Sequence, residues 1–233
     1  YNGNQLRNVF DEYGSRNQYN VKEYQDKADN GWNSYVNEMI YDANGNLTTD
    51  LDRDIVTIKY NFLNLPDIIQ FKNGNQIYNL YDAGGRKLRT EYSTLGTPVI
   101  VPVGSIGSAG DPTNCSDYIY GTEYMDNFEY GFENDCGNYV MYLDKIYNSE
   151  GYAMGLYNNY PYWYSALNYN YYRKDHLGNI REVWCGTTHG TSQRTQYYPS
   201  GLPWAEGEGQ EVQNKKYNGK EWIEAHGLDE YYS

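Results

Sequence analysis

A short phrase built on Tyr-Asp recurs along this chain and constrains its fold more than any other feature. The phrase reads YDANGNL at residues 41–47 and YDAGGRKL at residues 81–88, with a looser copy, YNFLNLP, at residues 60–66. The copies begin 19 and 21 residues apart, a period that suits two strands of about 5–6 residues and two turns of about 2–5. A disguised copy, DHLGNI, follows at residues 175–180. We therefore expect repeated strand–turn–strand units.

The residue types of the phrase are those of a tight turn. An Asp side chain accepts hydrogen bonds from main-chain amides two residues further on, and Gly adopts the positive φ that other residues resist. Asn64 stands in place of this Gly in the middle copy, and Asn is the next best residue there. Such units bury their apolar faces by stacking on each other, so we interpret the phrase as scaffold and not as an active site. The predicted turn residues are Tyr41, Asp42, Gly45, Asn46, Leu47, Tyr60, Asn64, Tyr81, Asp82, Gly85, Leu88, Asp175, His176, Gly178, Asn179, Tyr217 and Gly219.

The composition favours antiparallel β structure with an unusual interior. The chain has 30 Tyr but only 5 Phe and 5 Trp, and five Asn-Gly pairs supply hairpin turn signals. Because a Tyr hydroxyl needs a partner or water, we expect a core of packed rings with wet edges in place of a Leu/Ile/Val interior. Mean hydropathy is low at −0.89, but an aromatic content of 17% argues against disorder.

The charge of the chain argues against two classes of partner. The formal net charge is −13 and the pI is about 4.6, which disfavours nucleic acid and anionic membrane surfaces, since both are bound through Lys and Arg. The sequence contains no long apolar run that would span a membrane. We expect no nucleic-acid partner, no direct membrane contact and no cofactor.

The three cysteines, Cys115, Cys136 and Cys185, form no metal-binding pattern. Their odd number cannot be fully paired within the chain. Three free thiols are the favoured interpretation, and a Cys115–Cys136 disulfide is left open.

Composition divides the chain into four segments. Residues 1–95 form the repeat strip, and residues 96–117, rich in Gly, Pro and Ser, form an insertion loop. Residues 118–170 are Tyr-rich and predict β hairpins, whereas residues 171–233 carry a further set of motifs. A short helical turn is expected within 221–231. Neither end of the sequence looks like a natural terminus, so we expect an excerpt of a longer protein.

The last segment carries four motifs in a fixed order. They are YRKDHLGNIR at 172–181, YYPSGL at 197–202, KYNGKE at 216–221 and GLD at 227–229. Together with the turn phrases, these motifs resemble the YD-repeat proteins of the Rhs type and the start of their repeat-associated core domain. The resemblance covers roughly residues 41–95 and 171–233.

This resemblance implies an all-β fold in which antiparallel strand–turn–strand repeats form a twisted, spiralling sheet, here a fragment of a β-spiral shell. In the family such a shell belongs to large secreted or cell-surface bacterial proteins, and it encloses or displays a C-terminal cargo or toxin. The implied partners are the rest of the parent chain and the enclosed cargo domain. Many members also cleave themselves at an aspartyl motif, so membership of a self-processing protein is an alternative.

Catalytic and metal-binding patterns are weak, and we expect no enzyme activity. His176 lies inside a turn phrase, His189 lies in a predicted hairpin tip, and His226 precedes a Gly. A triad of His189, Ser192 and an acid could be drawn, but no nucleophile-elbow motif supports it. The alternating carboxylates Asp50, Asp52 and Asp54 lack the Gly and Glu of a calcium loop, and Ile55 and Asn61 occupy those places. We interpret the three Asp residues as a solvated turn edge.

Carbohydrate binding is a further alternative, because exposed aromatic rings can stack on sugar rings. The candidate stacking residues are Tyr162, Trp163 and Trp204. The competing interpretation is that these rings pack across neighbouring strands.

Overall fold

A computed structural model describes residues 3–9, 37–158, 163–204, 209, 213–228 and 230–232. Thirteen strands form one sheet in which they follow chain order, and two further strands pair separately. The strands are β1 (Met39–Tyr41), β2 (Leu47–Asp50), β3 (Ile55–Tyr60), β4 (Pro66–Phe71), β5 (Gln76–Tyr81), β6 (Lys87–Thr94), β7 (Tyr118–Met125), β8 (Phe128–Asp135), β9 (Asn138–Asn148), β10 (Gly151–Asn158), β11 (Trp163–Lys174), β12 (Ile180–Cys185), β13 (Gly190–Arg194), β14 (Glu221–Ile223) and β15 (Glu230–Tyr232). The predicted all-β, antiparallel fold is confirmed.

Two short 3₁₀ helices complete the described elements, at Tyr217–Gly219 and Ala225–Gly227. The second lies within the range where a short helical turn is expected. No helix in the described part of the chain is long and apolar enough to cross a membrane.

The chain divides into two compact units. Of the described residues, the first unit comprises 3–9, 37–124 and 131–141, and the second comprises the others. The four segments that composition suggests stay a prediction. No strand occurs between Thr94 and Tyr118 in this fully described stretch, and the boundary between residues 170 and 171 falls inside β11.

The core of the first unit is aliphatic, which corrects the expectation of a tyrosine interior. Its buried side chains are mainly Ile and Val, most of them on β3, β4 and β5, and the rings of Phe71 and Phe132 join them. Tyr78 on β5 is exposed. Aliphatic side chains fill the interior because they need no hydrogen-bond partner there, whereas the tyrosines keep their hydroxyls near water or a carbonyl.

Amide and hydroxyl groups are buried beside this core and satisfy one another. Gln76 Nε2 donates to Gln70 Oε1 at 2.6 Å and to the carbonyl of Gly107 at 3.0 Å, and the Gly107 amide donates to Gln70 Oε1 at 2.9 Å. On the next strand pair, Thr90 Oγ1 donates to Asn79 Oδ1 at 2.9 Å. Because every partner lies within the protein, the burial of these polar groups carries little net cost.

The second unit has a smaller core. Tyr152, Ile180 and Val183 form its buried centre, and Tyr147 and Tyr172 pack against it among other side chains. The ring of Tyr152 lies between those of Tyr147 and Tyr172, with centroids 5.9 Å from each. Tyr152 is the one tyrosine that is buried in the described part of the chain.

A disulfide joins Cys115 to Cys136, so the favoured interpretation of three free thiols is wrong. The bond connects the segment between β6 and β7 to the turn between β8 and β9, where the Gly137 amide also donates to the carbonyl of Pro112. Cys185 is free and buried, and its Sγ contacts Asn168 Oδ1 at 3.1 Å.

Candidate functional site

The candidate functional site is the set of turns that the repeated phrase forms. In the first turn, the Asp42 amide donates to the carbonyl of Asn46 at 2.9 Å, and the Gly45 amide donates to the carbonyl of Asp42 at 3.1 Å. The same pair of bonds recurs in the turns that begin at Asn61, Asp82 and Asp175. This is a three-residue hairpin loop whose last residue has positive φ. The residues at that position are Gly45 (φ +87°), Asn64 (φ +58°), Gly85 (φ +83°) and Gly178 (φ +87°).

The Asp side chain of each phrase closes the loop from within. Oδ1 of Asp42 accepts the amides of Asn44 at 2.9 Å and Asn46 at 2.8 Å, and Oδ2 accepts the Asn46 side-chain amide at 2.9 Å. Hydrogen bonds from Asn46 lower the pKa of Asp42. The amide and side chain of Arg86 act in the same way on the pKa of Asp82. These carboxylates are therefore occupied as hydrogen-bond acceptors within their own turns.

Asp175 makes the most contacts of the three. Burial opposes its ionisation, but the side chains and amides of Asn179, Arg181 and Leu177 together lower the pKa of Asp175 far below its usual value. The Arg181 Nε atom lies 2.8 Å from Asp175 Oδ2, and Asn179 Nδ2 lies 2.9 Å from the same oxygen. A carboxylate held this firmly in its charged form accepts hydrogen bonds and is a poor general base.

The strand register adds a bulge that the sequence does not reveal. After each turn, one residue of the returning strand is left without a partner. The flanking pairs are Tyr41 with Leu47, Tyr60 with Pro66, Tyr81 with Lys87 and Lys174 with Ile180. The position of Leu47 is thus taken by Lys87 in the third phrase, and not by Leu88 as the sequence comparison assumed. In the fourth phrase, Lys174 takes the position of the Tyr.

Three tyrosines each join their own strand–turn unit to the preceding one. In each case the hydroxyl donates to the main-chain carbonyl of the residue that starts the strand after the previous turn. The three pairs are Tyr60 with Leu47 at 2.7 Å, Tyr81 with Pro66 at 3.2 Å and Tyr197 with Ile180 at 2.8 Å. The accepting carbonyls all lie beside the bulge. The tyrosine therefore bonds to main chain, and the identity of the residue that provides the carbonyl does not matter.

Side chains of neighbouring turns are also in direct contact. Asn64 Oδ1 accepts the side-chain amide of Asn44 at 3.2 Å and that of Asn46 at 3.1 Å. In the second unit, the amide of Asn218 donates to Asn179 Oδ1 at 3.0 Å. The turn residues at positive φ and the Asn beside the carboxylate thus connect one repeat to the next.

Two later turns keep the backbone geometry but not the carboxylate. In the first, Tyr198 takes the Asp position, and its amide donates to the carbonyl of Leu202 at 2.9 Å. In the second, Lys216 takes the Asp position, and its amide donates to the carbonyl of Lys220 at 2.9 Å. Gly219 of the second turn has φ +70°. The ring of Tyr217 packs edge-on against that of Tyr197, with centroids 5.7 Å apart.

Among the described residues, the structure shows no catalytic triad built on the three histidines. His176 is exposed within its turn, and the ring of His189 lies 6.0 Å from that of Trp184. The Ser192 hydroxyl donates to the carbonyl of Val183 at 3.1 Å. His226 lies in the second 3₁₀ helix with φ +58°.

The predicted solvated edge at Asp50, Asp52 and Asp54 is wrong for two of the three residues. Asp50 and Asp52 are buried, because Asp50 closes the turn after β2. Its Oδ1 accepts the amides of Asp52 and Arg53, and its Oδ2 pairs with Arg53 Nη1 at 2.9 Å. Within the described residues, no group of three or more His, Cys, Asp or Glu side chains could hold a metal ion.

A half-buried polar cluster in the second unit has no counterpart in the sequence motifs. Tyr147 donates to Glu129 Oε2 at 2.9 Å, and Lys215 Nζ lies 3.4 Å from Glu129 Oε1 and 3.4 Å from the centroid of the Tyr147 ring. Burial raises the pKa of Glu129, although the positive charge of Lys215 acts in the opposite direction. Burial also raises the pKa of Tyr147 well above its usual value. The cluster neutralises its own charges and ties Lys215 to β8 and β9.

Of the three predicted aromatic stacking residues, the structure describes the side chain of Trp204 alone. Tyr162 and the side chain of Trp163 lie outside the described residues. Trp204 is 41% exposed, and its ring is stacked on that of Tyr198 with centroids 5.3 Å apart. Beside this pair, a pocket of about 380 Å³ is lined by Tyr198, Pro199, Ser200 and Leu202.

Comparison with known proteins finds matches among solved structures only. No family model matches the sequence, and no curated protein matches it. The crystal structure of TcdB2-TccC3-Cdc42 matches with a TM-score of 0.58 and 16% sequence identity over 82% of this chain. The crystal structure of TcdB2-TccC3 matches with a TM-score of 0.53 and 15% identity over 76% of this chain.

The match covers a small part of these larger molecules. This chain spans 9% of the first solved chain and 8% of the second. A third structure, TcdB2-TccC3 without its hypervariable C-terminal region, gives a TM-score of 0.51 over 76% of this chain. The chain therefore has the fold found in TcdB2-TccC3, and the resemblance seen in its turn phrases is confirmed at the level of the fold.

Proposed function

We propose that this chain is a structural repeat segment of a larger Rhs-type protein, and that it forms part of a shell that encloses or displays a C-terminal cargo or toxin. The observation that carries the proposal is the carboxylate-closed turn, which recurs with the same hydrogen bonds at Asp42, Asp82 and Asp175. Each of these acids serves its own turn. The carboxylates of the repeated phrase therefore serve to build sheet, and we propose that the segment has no enzyme activity.

Two further observations support a secreted or cell-surface location. The matched structures are of a toxin complex, and the Cys115–Cys136 disulfide is a bond that persists in oxidising compartments. Mass spectrometry of protein from its native source, alkylated in denaturant without reduction so that the buried Cys185 can react, tests the location. We expect one cysteine of three to react, and three reactive cysteines would contradict an oxidising compartment.

Protection of the cargo from protease tests the enclosing role. In the parent polypeptide, the C-terminal domain should resist a protease that digests the same domain when it is expressed alone. Gly85→Val should abolish this resistance, because Gly85 has φ +83° and a Cβ there would lie 3.2 Å from Leu65 Cδ1. Ala83→Val, an exposed position in the same turn, is the matched control. Equal digestion of the cargo in the unaltered parent would refute enclosure.

Glycan binding is the second candidate, and the exposed Trp204 ring beside the Tyr198 pocket favours it. A flat pair of rings next to a Ser hydroxyl can hold one sugar ring. A glycan array probed with the chain tests this function, with Trp204→Ala as the variant that should lose the signal. An array without signal above background removes the candidate. The self-processing alternative rests on the family resemblance alone.

A further inference from the structure

The segment between β6 and β7 presents an apolar surface to solvent. We call residues 98–106 the apolar loop. Four of its side chains are largely exposed, namely Val99 (56%), Ile100 (80%), Val103 (52%) and Ile106 (42%). Single exposed aliphatic residues are ordinary, but four of them within one loop of nine residues point to an interaction site.

The main chain of the apolar loop is bound to the strands of the first unit. The amides of Val99 and Val101 donate to the carbonyls of Asn73 and Lys72 at 3.1 and 2.9 Å, and the Gly104 amide donates to the carbonyl of Val56 at 2.9 Å. The side chain of Val101 is buried. The buried Val101 side chain and the main-chain hydrogen bonds thus hold the loop in place, so that its other aliphatic side chains face solvent. A surface that is fixed before it binds loses little entropy on binding.

The loop lies in a stretch without charge. No Asp, Glu, Lys, Arg or His occurs from Tyr92 to Gly110, a run of 19 residues, although charged residues make up 21% of the chain and about four would be expected. The surrounding molecule carries a net charge of −13. An apolar partner can cover this stretch without desolvating a charge, which would be costly.

We propose that the apolar loop is the docking surface for an apolar segment of the same parent polypeptide that lies outside these 233 residues. The inference rests on the proposed function, and it specifies which surface the rest of the parent covers. The chain spans only 8–9% of the solved chains that it matches, so the parent has ample further sequence to supply the segment. A tethered segment also binds at high effective concentration, which a separate protein lacks.

Site-specific photo-crosslinking in the intact parent tests the inference. A photoreactive benzoylphenylalanine replaces Ile100, which is 80% exposed, so the larger side chain can be accommodated without disturbing the core. The matched control carries the same group at Leu177, which is 62% exposed. We expect the Ile100 probe to form an intramolecular crosslink to one apolar peptide outside these 233 residues. The yield should be several-fold above that at Leu177.

Three results would overturn the inference: no crosslink at Ile100, a crosslink to a second copy or to another protein, or the same crosslinked peptide from both positions. Hydrogen exchange in the same parent reports separately on the proposed function. Protection of the edge strands β1 and β13 that is greater in the parent than in the 233-residue chain alone would show that neighbouring parent strands continue the sheet. Protected edges without the crosslink would leave the proposed function standing and refute the docking surface alone.

Discussion

Removing the hydroxyl of Tyr60 should measure how strongly one repeat is bonded to the next. The Tyr60→Phe substitution deletes the 2.7 Å bond to the carbonyl of Leu47 and keeps the ring. A net hydrogen bond contributes about 0.5–1.5 kcal/mol to stability. Because both residues are half-buried, water can replace part of the bond, and we expect a loss of about 1 kcal/mol in the free energy of unfolding.

The structure also predicts a rank order. At Tyr81 the hydroxyl bond is longer, 3.2 Å, and the accepting carbonyl of Pro66 also receives the side-chain amide of Asn79 at 3.1 Å. Tyr81→Phe therefore leaves that carbonyl with a partner and should cost less than Tyr60→Phe. Tyr78→Phe is the matched control, since Tyr78 is exposed on β5 and its hydroxyl has no hydrogen bond within the described residues.

Urea unfolding followed by tryptophan fluorescence provides the measurement. With a slope of about 1–3 kcal/mol per molar urea, a loss of about 1 kcal/mol lowers the midpoint by roughly 0.3–1 M. Tyr78→Phe should stay within about 0.5 kcal/mol of the unaltered chain. If Tyr60→Phe were no more destabilising than Tyr78→Phe, or if Tyr81→Phe cost the most, the role assigned to the hydroxyls would be wrong.

Three further predictions concern the turns and the disulfide. Asp82→Asn should unfold at a higher urea concentration than Asp82→Ala. In the second repeat an Asn, Asn61, stands at the equivalent position, and its side-chain oxygen accepts the two main-chain amides of the turn. Equal midpoints would argue against this role of the side chain. Stability should fall as pH drops below about 3.8, because the pKa values of Asp42 and Asp82 lie below 3.8 in the folded chain and folding therefore favours the charged carboxylates. Unfolding followed by circular dichroism at pH 6 and at pH 3 checks this, and a stability that rises on acidification would contradict it. Replacing Cys136 with Ser opens a disulfide between residues 21 apart and should cost about 3 kcal/mol, and an unchanged midpoint would show that the bond to Cys115 does not form in solution.

The chemistry of the turns is local, so the sequence displays it directly. An Asp followed three residues later by a Gly specifies the loop almost without help from the rest of the chain, and Asn64 in place of Gly keeps the same positive φ. The bulge was missed because it depends on pairing between strands. Leu88 looked equivalent to Leu47 in a comparison of letters, whereas the register assigns that position to Lys87.

Interior contacts were harder to predict because they join distant residues. The abundance of tyrosine indicated a core of rings, but composition does not tell which face of a strand a residue occupies. Ile55 and Ile77 fill the interior instead. Cys115 and Cys136 come together only when β8 returns from β7, and Glu129 and Lys215 are brought into contact by the folding of the whole second unit. Nothing in local spacing indicates such pairs.

The bond from each tyrosine hydroxyl to a main-chain carbonyl has a consequence for how genes of this kind can change. A contact between two side chains would require both residues to be altered together whenever a unit is gained or lost. Every residue provides a carbonyl, so a duplicated unit of about 20 residues, close to the 19 and 21 that separate the phrases, meets a ready acceptor wherever it is inserted. Unequal recombination can therefore lengthen or shorten the sheet in whole units, without compensating substitutions at the new junction.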